Sequence, residues 1–352
     1  MSKPKIVLGL SGGVDSAVAA GLLAQDYDVT CVWLSIGADA KGEADAAAVA
    51  NRLGLPFETA DISQALEDQV CTPFAAAYCA GRTPLPCAVC NPAVKFPALL
   101  SVANRIGAEY VATGHYARQA LAPNGRALLQ KGMPANDQSY LLARLPQEIL
   151  RRVRFPLGNY EKNQVRAMAG ASALPVAEKP DSMEICFIPD GDYAAWLDRR
   201  GNTPPPGDFV DKTGRVLGRH KGIHHYTLGQ GRGLGLSGPH RYYVTSIDPL
   251  YNQVILSDGS DLFATWVRCH TPNWISVSQL DHPVQVMVRL RHSKTETPAE
   301  LYPTGEGVIL YSKIPVRAPT PGQLAVFYQE DTVLGSAWIE AAGTDGYKPA
   351  VT

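Results

Sequence analysis

Three cysteines in two short segments carry the side chains best suited to sulfur chemistry. Cys87 and Cys90 form a Cys-x-x-Cys pair behind two prolines, and Cys186 lies in an apolar stretch between polar turns. A thiol near a helix N-terminus and beside a cation has a lowered pKa and forms a nucleophilic thiolate. We predict a helix over about 94–106, with Lys95 at its start, and therefore a reactive thiol at this pair.

Three other interpretations of these cysteines stay open. A zinc knuckle needs a second ligand pair, and the remaining cysteines are isolated in the sequence. A redox dithiol of the thioredoxin type would need a different surrounding fold. Buried, unreactive thiols are common, and Cys186 taken alone is typical of a core cysteine.

A second chemistry-bearing segment is a turn rich in glycine and serine near the start of the chain. A glycine pair lets successive N–H groups point into one concavity, and a helix start adds unpaired N–H groups and a positive dipole end. Two serine hydroxyls add donors, and Asp15 is placed to meet the magnesium of a nucleotide. No Gly-Lys-Ser/Thr follows, so this is not the Walker loop. The predicted phosphate-binding residues are Gly9, Leu10, Ser11, Gly12, Gly13, Val14, Asp15 and Ser16.

Another candidate contact point follows a short strand that ends near residue 113. Gly114 allows close backbone approach to a ligand, and His115 is suited to contact a phosphate or a base. A lone histidine is often structural, but its place at the carboxyl end of a strand favours a functional role.

A parallel sheet must position these segments. Predicted strands at 5–10, 28–34 and 55–60 alternate with helical patterns at 17–23 and 44–53. This alternation predicts an α/β, doubly wound parallel sheet with helices on both faces. Ligands of such sheets bind beyond the carboxyl ends of the strands, where the glycine-rich turn would lie.

The second half of the chain predicts β structure. A linker composition at 201–207 is followed by short strands and glycine turns. Residues 284–291 alternate, with valine and leucine on one face and Gln285, Arg289 and Arg291 on the other, which predicts a basic surface on a barrel strand. Further strands are predicted at 324–328 and 333–339.

Composition bounds the class of protein. The chain has 352 residues, of which 45% are hydrophobic and 18% charged, which is ordinary for a globular protein of two or three domains. A net charge of -1 gives no indication of nucleic acid, so any such contact must come from a local patch. We expect no signal peptide and no run long enough to span a membrane, and seven cysteines without a secretion signal favour the cytoplasm.

One local patch is predicted within residues 130–166. Its cations alternate with apolar and aromatic side chains and few acids, which suits an RNA-backbone surface as well as a solvated face. The cations are Lys131, Arg144, Arg151, Arg152, Arg154, Lys162 and Arg166.

Taken in order, several strings resemble the tRNA-specific 2-thiouridylase family, which belongs to the PP-loop superfamily of ATP pyrophosphatases. These enzymes place sulfur on C2 of the wobble uridine of certain tRNAs. The strings are Ser-Gly-Gly-Val-Asp-Ser, Gly-Arg-Thr-Pro-x-Pro-x-x-x-Cys-Asn, Val-Lys-Phe, Ala-Thr-Gly-His-Tyr, Asp-Gln-Ser-Tyr and Glu-Ile-Cys-Phe-Ile-Pro. Gly-Ile-His-His-Tyr-Thr-Leu-Gly-Gln and Pro-Gly-Gln fit as well, so the resemblance covers nearly the whole chain.

The resemblance implies three domains: an ATP pyrophosphatase domain over 1–200, a small central domain over 201–263 and a tRNA-binding β-barrel over 264–346. It implies ATP and Mg²⁺ as cofactors, and the tRNA anticodon loop and a persulfide sulfur donor protein as partners. By this resemblance Cys186 carries the persulfide, and Cys90 is the partner nucleophile that leaves a Cys90–Cys186 disulfide for reductants to reopen.

The resemblance also implies binding residues. Leu34, at the end of the second strand, and Gly114 would contact the nucleotide. The implied tRNA contacts are Leu85, Pro86, Cys87, His115, Asn136, Asp137, Gln138, Arg289, Leu290 and Gln323.

The chain departs from the family pattern at two places. Many members have Asn-Pro-Asp where this chain has Leu-Pro-Cys ending at Cys87, although others carry cysteine there. The family string Gly-Gln-Arg is replaced in this chain by Gly-Gln-Gly-Arg ending at Arg232. Thiolate is a better iron ligand than carboxylate, so Cys87, Cys90 and Cys186 could instead hold three corners of a [4Fe–4S] cluster. A cluster and a Cys90–Cys186 disulfide exclude each other.

Two other classes of function stay open. A small-molecule ligase of the same fold would amidate an acid through an adenylate, and would need neither paired reactive cysteines nor a basic barrel. A non-catalytic RNA-binding protein would show no ATP–pyrophosphate exchange that depends on tRNA.

Overall fold

The computed structural model describes residues 2–37, 39–181, 185–238, 240–293 and 295–344. Glu184 of the Glu-Ile-Cys string and residues 345 and 346 of the predicted barrel domain lie outside these ranges. The helices are α1 (Val14–Leu23), α2 (Ala40–Leu53), α3 (Ser63–Leu66), α4 (Thr72–Cys79), α5 (Pro86–Cys90), α6 (Phe96–Ile106), α7 (Ser139–Leu142), α8 (Gln147–Leu150), α9 (Lys162–Ala171) and α10 (Tyr193–Arg200).

A parallel sheet with strand order β3-β2-β1-β4-β7 forms the centre of the first domain, which confirms the predicted fold class. Helix α2 begins at Ala40, earlier than predicted, because the Asp39 side chain accepts the N–H of Gly42 at 2.9 Å and caps it. The strands of this sheet are β1 (Lys5–Gly9), β2 (Asp28–Ser35), β3 (Phe57–Asp61), β4 (Tyr110–Ala112) and β7 (Val153–Arg154).

Helices α5 and α6 are joined by a π-helical turn, Asn91–Lys95, into one continuous helix of 21 residues, Pro86–Ile106. The helix predicted over 94–106 therefore starts eight residues earlier, and both cysteines of the Cys-x-x-Cys pair lie in its first turns. Proline at the first helical position has no N–H to leave unpaired, which explains a start at Pro86.

This long helix is the part of the described chain that is long and apolar enough to cross a membrane by length and composition alone. The core helix of a globular protein meets the same criterion, so this finding does not overturn the expectation that the chain lacks a membrane-spanning run. Half of the helix is buried inside the domain, where Phe96, Leu99 and Ala103 pack in the core against the sheet.

The central region folds as a four-stranded sheet of order β10-β11-β8-β9 with a small core of its own. A 3₁₀ turn, Ile223–His225, follows β9 and contributes Ile223 to that core. The strands are β8 (Gly207–Val210), β9 (Val216–His220), β10 (Tyr243–Asp248) and β11 (Gln253–Ser257).

The last six strands close into a barrel of order β12-β15-β14-β13-β16-β17, because β17 also pairs with β12. Alternate residues of these strands fill its core, so the predicted β-barrel is confirmed. The strands are β12 (Phe263–Trp274), β13 (Val284–Arg289), β14 (Thr297–Pro303), β15 (Gly307–Arg317), β16 (Leu324–Gln329) and β17 (Thr332–Gly343). The limits 1–200, 201–263 and 264–346 remain predictions.

A hairpin of the first domain extends the barrel sheet. Its strands β5 (Ala117–Leu121) and β6 (Ala127–Lys131) pair with each other, and β6 pairs with β17 through Gln130 and Thr332. The same apolar cluster contains core residues of the first domain and barrel residues such as Leu324. The first domain and the barrel are therefore packed as one body.

Candidate active site

The glycine-rich turn between β1 and α1 is braced by its own serine. Ser16 Oγ donates to the carbonyl of Gly13 and accepts the N–H of Ser11, both at 3.1 Å. The prediction that both serine hydroxyls are open donors is therefore wrong for Ser16, which is buried inside the turn. Gly12 has φ +65°, and a Cβ there would lie 2.5 Å from the carbonyl oxygen of Gly42, so the position requires glycine.

Gly114 brings the exit of β4 against this turn. A Cβ at Gly114 would lie 2.8 Å from the backbone nitrogen of Ser16 and 3.0 Å from the carbonyl carbon of Asp15. The sequence predicted a close backbone approach to a ligand here, and in the structure the close approach is made to the glycine-rich turn.

Asp15 is held by a cation and a phenol. The Nζ of Lys162 lies 2.6 and 2.7 Å from the two carboxylate oxygens, and the hydroxyl of Tyr116 donates to Oδ1 at 2.7 Å. Lys162 also pairs with Asp181 at 2.9 Å. Burial and the hydrogen bond to Asp15 raise the pKa of Tyr116, so its phenol remains a donor. A metal ion at Asp15 must compete with the ammonium of Lys162.

A second lysine supports the turn from the other side. Lys179 Nζ donates to the carbonyl of Gly12 at 2.9 Å and pairs with Asp45 of α2 at 2.6 Å. Sequence reasoning assigned no role here to Lys179 or Tyr116. The available signal was the Lys-Pro-Asp string at 179–181, because both of its charged side chains reach the surroundings of the turn.

Cys90 lies in an apolar environment that raises the pKa of its thiol to about 11, because burial outweighs the opposing charge of Lys95. The predicted lowering of this pKa is therefore wrong: Cys90 packs with Leu66, Val70 and Val94, which exclude water from the helix start.

The second predicted catalytic cysteine lies close to the first. The charges of Cys186 and Cys87 both act on the Cys90 thiol, and the charge of Cys87 acts on Cys186. Cys186 and Cys87 are solvent-exposed, but the surrounding protein still partly desolvates Cys186 and raises its pKa, against an opposing effect of Lys95. The fold therefore brings together three thiols that the sequence separates by about a hundred residues.

His115 connects the thiols to the phosphate-binding turn. Its ring packs beside Phe96 and Phe155, with centroids 6.4 and 6.3 Å away, and its Nδ1 lies 2.7 Å from Thr113 Oγ1. Burial and the charge of Lys95 hold the pKa of His115 well below its usual value, so the ring is neutral. Gly114 contacts the turn, and the charge of Lys95 acts on His115, Cys90 and Cys186, so the exit of β4 lies near both sets of groups.

Leu34, near the end of β2, makes a further connection. It is half-buried and packs against the apolar cluster that includes Cys90 and Phe187, the neighbour of Cys186. A nucleotide lying over the end of β2 would therefore lie beside the thiols.

Arg289 and Asp137 form an ion pair buried between the barrel and the first domain, with side chains 9% and 4% exposed. The guanidinium of Arg289 also donates to Glu296 and lies over the ring of Tyr328, 4.7 Å from its centroid. The prediction that Arg289 shares an exposed face with Arg291 is wrong, because its face of β13 meets the first domain. Arg291, just past the strand, is exposed.

The loop that contains Asp137 is tied to the residues around Asp15. Gln138 Oε1 accepts the N–H of Tyr116 at 2.9 Å. The side chain of Asn136 accepts the N–H of Lys162 at 2.8 Å when its amide is oriented with the oxygen towards that group. Residues 136–138, predicted to bind tRNA, are therefore hydrogen-bonded to the neighbours of Asp15.

Gln323 of the barrel fixes the segment that precedes the Cys-x-x-Cys pair. Its Nε2 donates to the carbonyls of Thr83 and Pro84 at 3.0 and 3.2 Å. Behind this segment Pro86 is buried and Leu85 half-buried, and Leu290 packs against the barrel core. Of the predicted tRNA contacts Leu85, Pro86 and Cys87, only Cys87 is exposed.

A cleft of about 480 Å³ lies beside this segment, between the first domain and the barrel. Phe74 and Leu85 line it on one side, Trp338 and His270 on the other, and Arg82 adds a cation. Aromatic faces with a nearby cation suit the stacking of unpaired bases.

Most cations of the predicted basic patch bond to other groups of the protein. Arg152 donates to the carbonyls of Ala108 and Glu109, and Arg144 to that of Thr271. The choice between an RNA-backbone surface and a solvated face stays open, but six of the seven cations also bond to protein groups: Lys131, Arg144, Arg152, Arg154, Lys162 and Arg166.

Three family models match the chain in succession. They are described as a tRNA methyl transferase HUP domain, over residues 4–190, a tRNA methyl transferase PRC-barrel domain, over 195–258, and an aminomethyltransferase beta-barrel domain, over 265–339.

Curated relatives match over nearly the full length. A protein of a Thermoanaerobacter species named tRNA-specific 2-thiouridylase MnmA 2 is 42% identical over 355 residues, which cover 96% of this chain and 98% of the relative. Proteins named tRNA-specific 2-thiouridylase MnmA from Acidithiobacillus ferrooxidans and Acetivibrio thermocellus are 43% and 40% identical, over 97% of this chain and 99% and 100% of their own lengths. With the phosphate-binding turn, the converging cysteines and the barrel in place, this chain belongs to the tRNA-specific 2-thiouridylase family.

Proposed function

We propose that this protein is a tRNA-uridine 2-sulfurtransferase, which replaces the C2 oxygen of the wobble uridine by sulfur and converts ATP to AMP and pyrophosphate. The observation that supports this best is the adjacency of Gly114 and His115. The first packs on the phosphate-binding turn, and the second shares the charge of Lys95 with Cys90 and Cys186.

ATP would bind at the turn, with its phosphates on the backbone N–H groups of the turn and of the start of α1. Gly9, Leu10 and Val14 would line this site with the turn residues, and Leu34 would contact the adenine. Mg²⁺ fits the carboxylate of Asp15 by ligand type and would neutralise charge on the phosphates. Uridine O2 attacks the α-phosphate and releases pyrophosphate, so that a poor leaving group becomes AMP.

Sulfur would reach C2 through a protein persulfide. The terminal sulfur of a Cys186 persulfide attacks C2, AMP leaves, and tRNA is joined to Cys186 through a disulfide. The Cys90 thiolate attacks Cys186 Sγ, which releases 2-thiouridine and forms a Cys90–Cys186 disulfide. The transferred sulfur gains the two electrons that the thiols lose, and a cellular thiol reductant reopens the disulfide. Lys95 assists the ionisation of Cys90, which burial opposes.

A second route to sulfur transfer uses the third thiol. Cys87, Cys90 and Cys186 fit a [4Fe–4S] cluster by number and ligand type, since the charges of all three act on one another. The cluster, when bound, would supply an iron atom that binds sulfide. This chain's own contribution would then be three thiolates, with Lys95 favouring the charged forms of Cys90 and Cys186.

The barrel would hold the tRNA, and unpaired bases of the tRNA would bind in the cleft beside the cysteine segment. The target base must leave the anticodon stack to reach the thiols, where it would meet the exposed Cys87 and the neutral ring of His115. Leu85, Pro86, Gln323, Leu290 and the 136–138 loop support the walls of this site. A persulfide-carrying protein would load Cys186 from its exposed side, in the cytoplasm where tRNA is modified.

Mass spectrometry of the wobble nucleoside tests this proposal directly. Wild-type protein incubated with tRNA, ATP and a persulfide donor should give 2-thiouridine and one AMP for each sulfur transferred. Cys79→Ala is a matched control, because Cys79 is half-buried elsewhere on α4. A small-molecule ligase of this fold would instead survive iodoacetamide and release AMP without tRNA.

A further inference from the structure

A group of two histidines and one carboxylate joins the first domain to the central sheet. Asp198 lies on α10, and His224 and His225 form the end of the 3₁₀ turn Ile223–His225. Their ligand atoms all lie within 4.8 Å of one another. In the part of the chain that the structure describes, no other three His, Cys, Asp or Glu side chains come so close together.

The two imidazoles converge on opposite oxygens of one carboxylate. His224 Nε2 lies 2.8 Å from Asp198 Oδ1, and His225 Nε2 lies 3.3 Å from Oδ2. Adjacent residues of a 3₁₀ turn point about 120° apart, so two rings on one target are not an automatic result of the backbone. Here the ring centroids are 4.3 Å apart.

The local backbone is built to bring His224 into this position. Gly222 has φ +138°, and a Cβ there would lie 2.8 Å from Nδ1 of His224. The His224 side chain is 1% exposed, and its Nδ1 has no hydrogen-bond partner. The His224 ring is therefore a buried polar group, and its polar partner is Asp198 of the same cluster.

We propose that Asp198, His224 and His225 form a binding site for a divalent transition metal ion of the zinc class. Two imidazole nitrogens and a carboxylate oxygen are a common ligand set for Zn²⁺, and ligand atoms around a tetrahedral ion lie about 3.4 Å apart. The observed nitrogen–oxygen separations of 2.8 and 3.3 Å need only small side-chain rotations to match. Asp198 is 47% exposed and His225 19%, so one side is open for a water ligand.

The site would fasten the helix that leads away from Cys186. Asp198 lies twelve positions after Cys186, and Asp192 caps α10 by accepting the N–H of Ala195 at 2.9 Å. A metal ion shared by α10 and the 3₁₀ turn joins the persulfide-carrying segment to the central sheet. The proposed role of the metal ion is structural. The proposal does not depend on whether the sulfur-transfer reaction is assigned correctly.

Cobalt binding to the metal-free full-length protein tests the site. We expect one Co²⁺ per chain with visible ligand-field bands and no thiolate-to-cobalt charge-transfer band, since the ligands are nitrogen and oxygen. Asp198→Asn and His225→Ala should each weaken Co²⁺ binding by about a hundredfold or more. Zn²⁺ alone should raise the melting temperature of wild type but not of these variants. His240→Ala, which removes an exposed histidine of the same domain, is the matched control.

Two results would overturn the proposal. One is equal Co²⁺ affinity in wild type and in His225→Ala, with both folded by circular dichroism. The other is a bound ion that shows the thiolate band and is lost in Cys90→Ser, which would place the metal on the cysteines.

Discussion

The ammonium of Lys162 lies between the two carboxylate oxygens of Asp15, 2.6 and 2.7 Å from them. It occupies the direction from which a magnesium ion would approach Asp15. If Asp15 belongs to the nucleotide site as proposed, Mg²⁺ and ATP would have to displace this internal cation.

Lys162→Met should lower the Mg²⁺ concentration that gives half-maximal ATP turnover, because it removes the competitor for Asp15. A partly exposed ion pair contributes up to about 1 kcal/mol, so the shift should be about fivefold at most. A magnesium titration of AMP formation measures it. A higher half-maximal Mg²⁺ concentration in Lys162→Met would instead indicate that Lys162 binds the phosphates of ATP.

Asp15→Ala should nearly abolish ATP use and change tRNA affinity by only a few-fold, because the turn serves the phosphates. Ser11→Ala should act in the same direction, since Ser11 is exposed in the turn and its hydroxyl bonds to that of Ser16 at 3.1 Å. Pyrophosphate release and tRNA binding are measured on the same preparations. Normal adenylation of tRNA by Asp15→Ala would show that the turn is not the nucleotide site.

Gly114→Ala should damage the phosphate-binding turn without touching any ligand. The added Cβ would lie 2.8 Å from the Ser16 nitrogen, where backbone has to move. We expect a large loss of ATP turnover with an intact fold by circular dichroism. Gly170→Ala on α9, where a Cβ meets nothing within 4 Å, is the control and should keep full activity.

Cys90 should react with iodoacetamide faster as the pH rises towards 11, because its pKa is raised and the thiolate is the nucleophile. Lys95→Met should raise this pKa further and slow alkylation at pH values below it. Peptide mass spectrometry follows the rate at each cysteine. Burial of the neutral thiol also stabilises the fold. This contribution is fully present below pH 9.0, the ordinary pKa of a cysteine thiol, and is lost as the pH rises towards 11.

Cys90→Ala and Cys186→Ala should each eliminate thiolation, whereas Cys87→Ala should be severe only if a cluster is the working state. Anaerobic reconstitution with iron and sulfide, followed by electron paramagnetic resonance, distinguishes the two routes. If reconstituted protein is no more active than metal-free protein given a persulfide donor, the cluster is excluded and the relay remains.

Arg289→Ala should destabilise the protein by about 3–5 kcal/mol, because it leaves Asp137 buried without its partner. Arg291→Ala, at the exposed end of the same segment, should leave the stability unchanged. It should weaken tRNA binding and flatten its salt dependence. Thermal unfolding and binding at several salt concentrations test both. An unaffected melting temperature in Arg289→Ala would contradict the assignment of a structural ion pair.

The sequence predicted the sheet, the phosphate-binding turn and the barrel, because hydrophobic periodicity and glycine placement are local signals. It did not predict the burial of Arg289, since the alternation of β13 shows which residues share a face but not what that face meets. The predicted lowering of the Cys90 thiol pKa was wrong for the same reason. The helix start and Lys95 are visible in the sequence, whereas Leu66 and Val70, which surround the sulfur, come from a distant segment.

The pairing of Gln130 with Thr332 has a consequence for dividing this protein into pieces. A fragment that ends after α10 would expose the outer edge of β6 and the apolar face that packs against Leu324, and exposed strand edges of this kind promote aggregation. A barrel expressed alone would keep the pairing of β17 with β12 and β16 but would lose its pairing with β6. The catalytic half and the barrel are consequently poor candidates for separate expression or for exchange between relatives, and they would have to be inherited and engineered together.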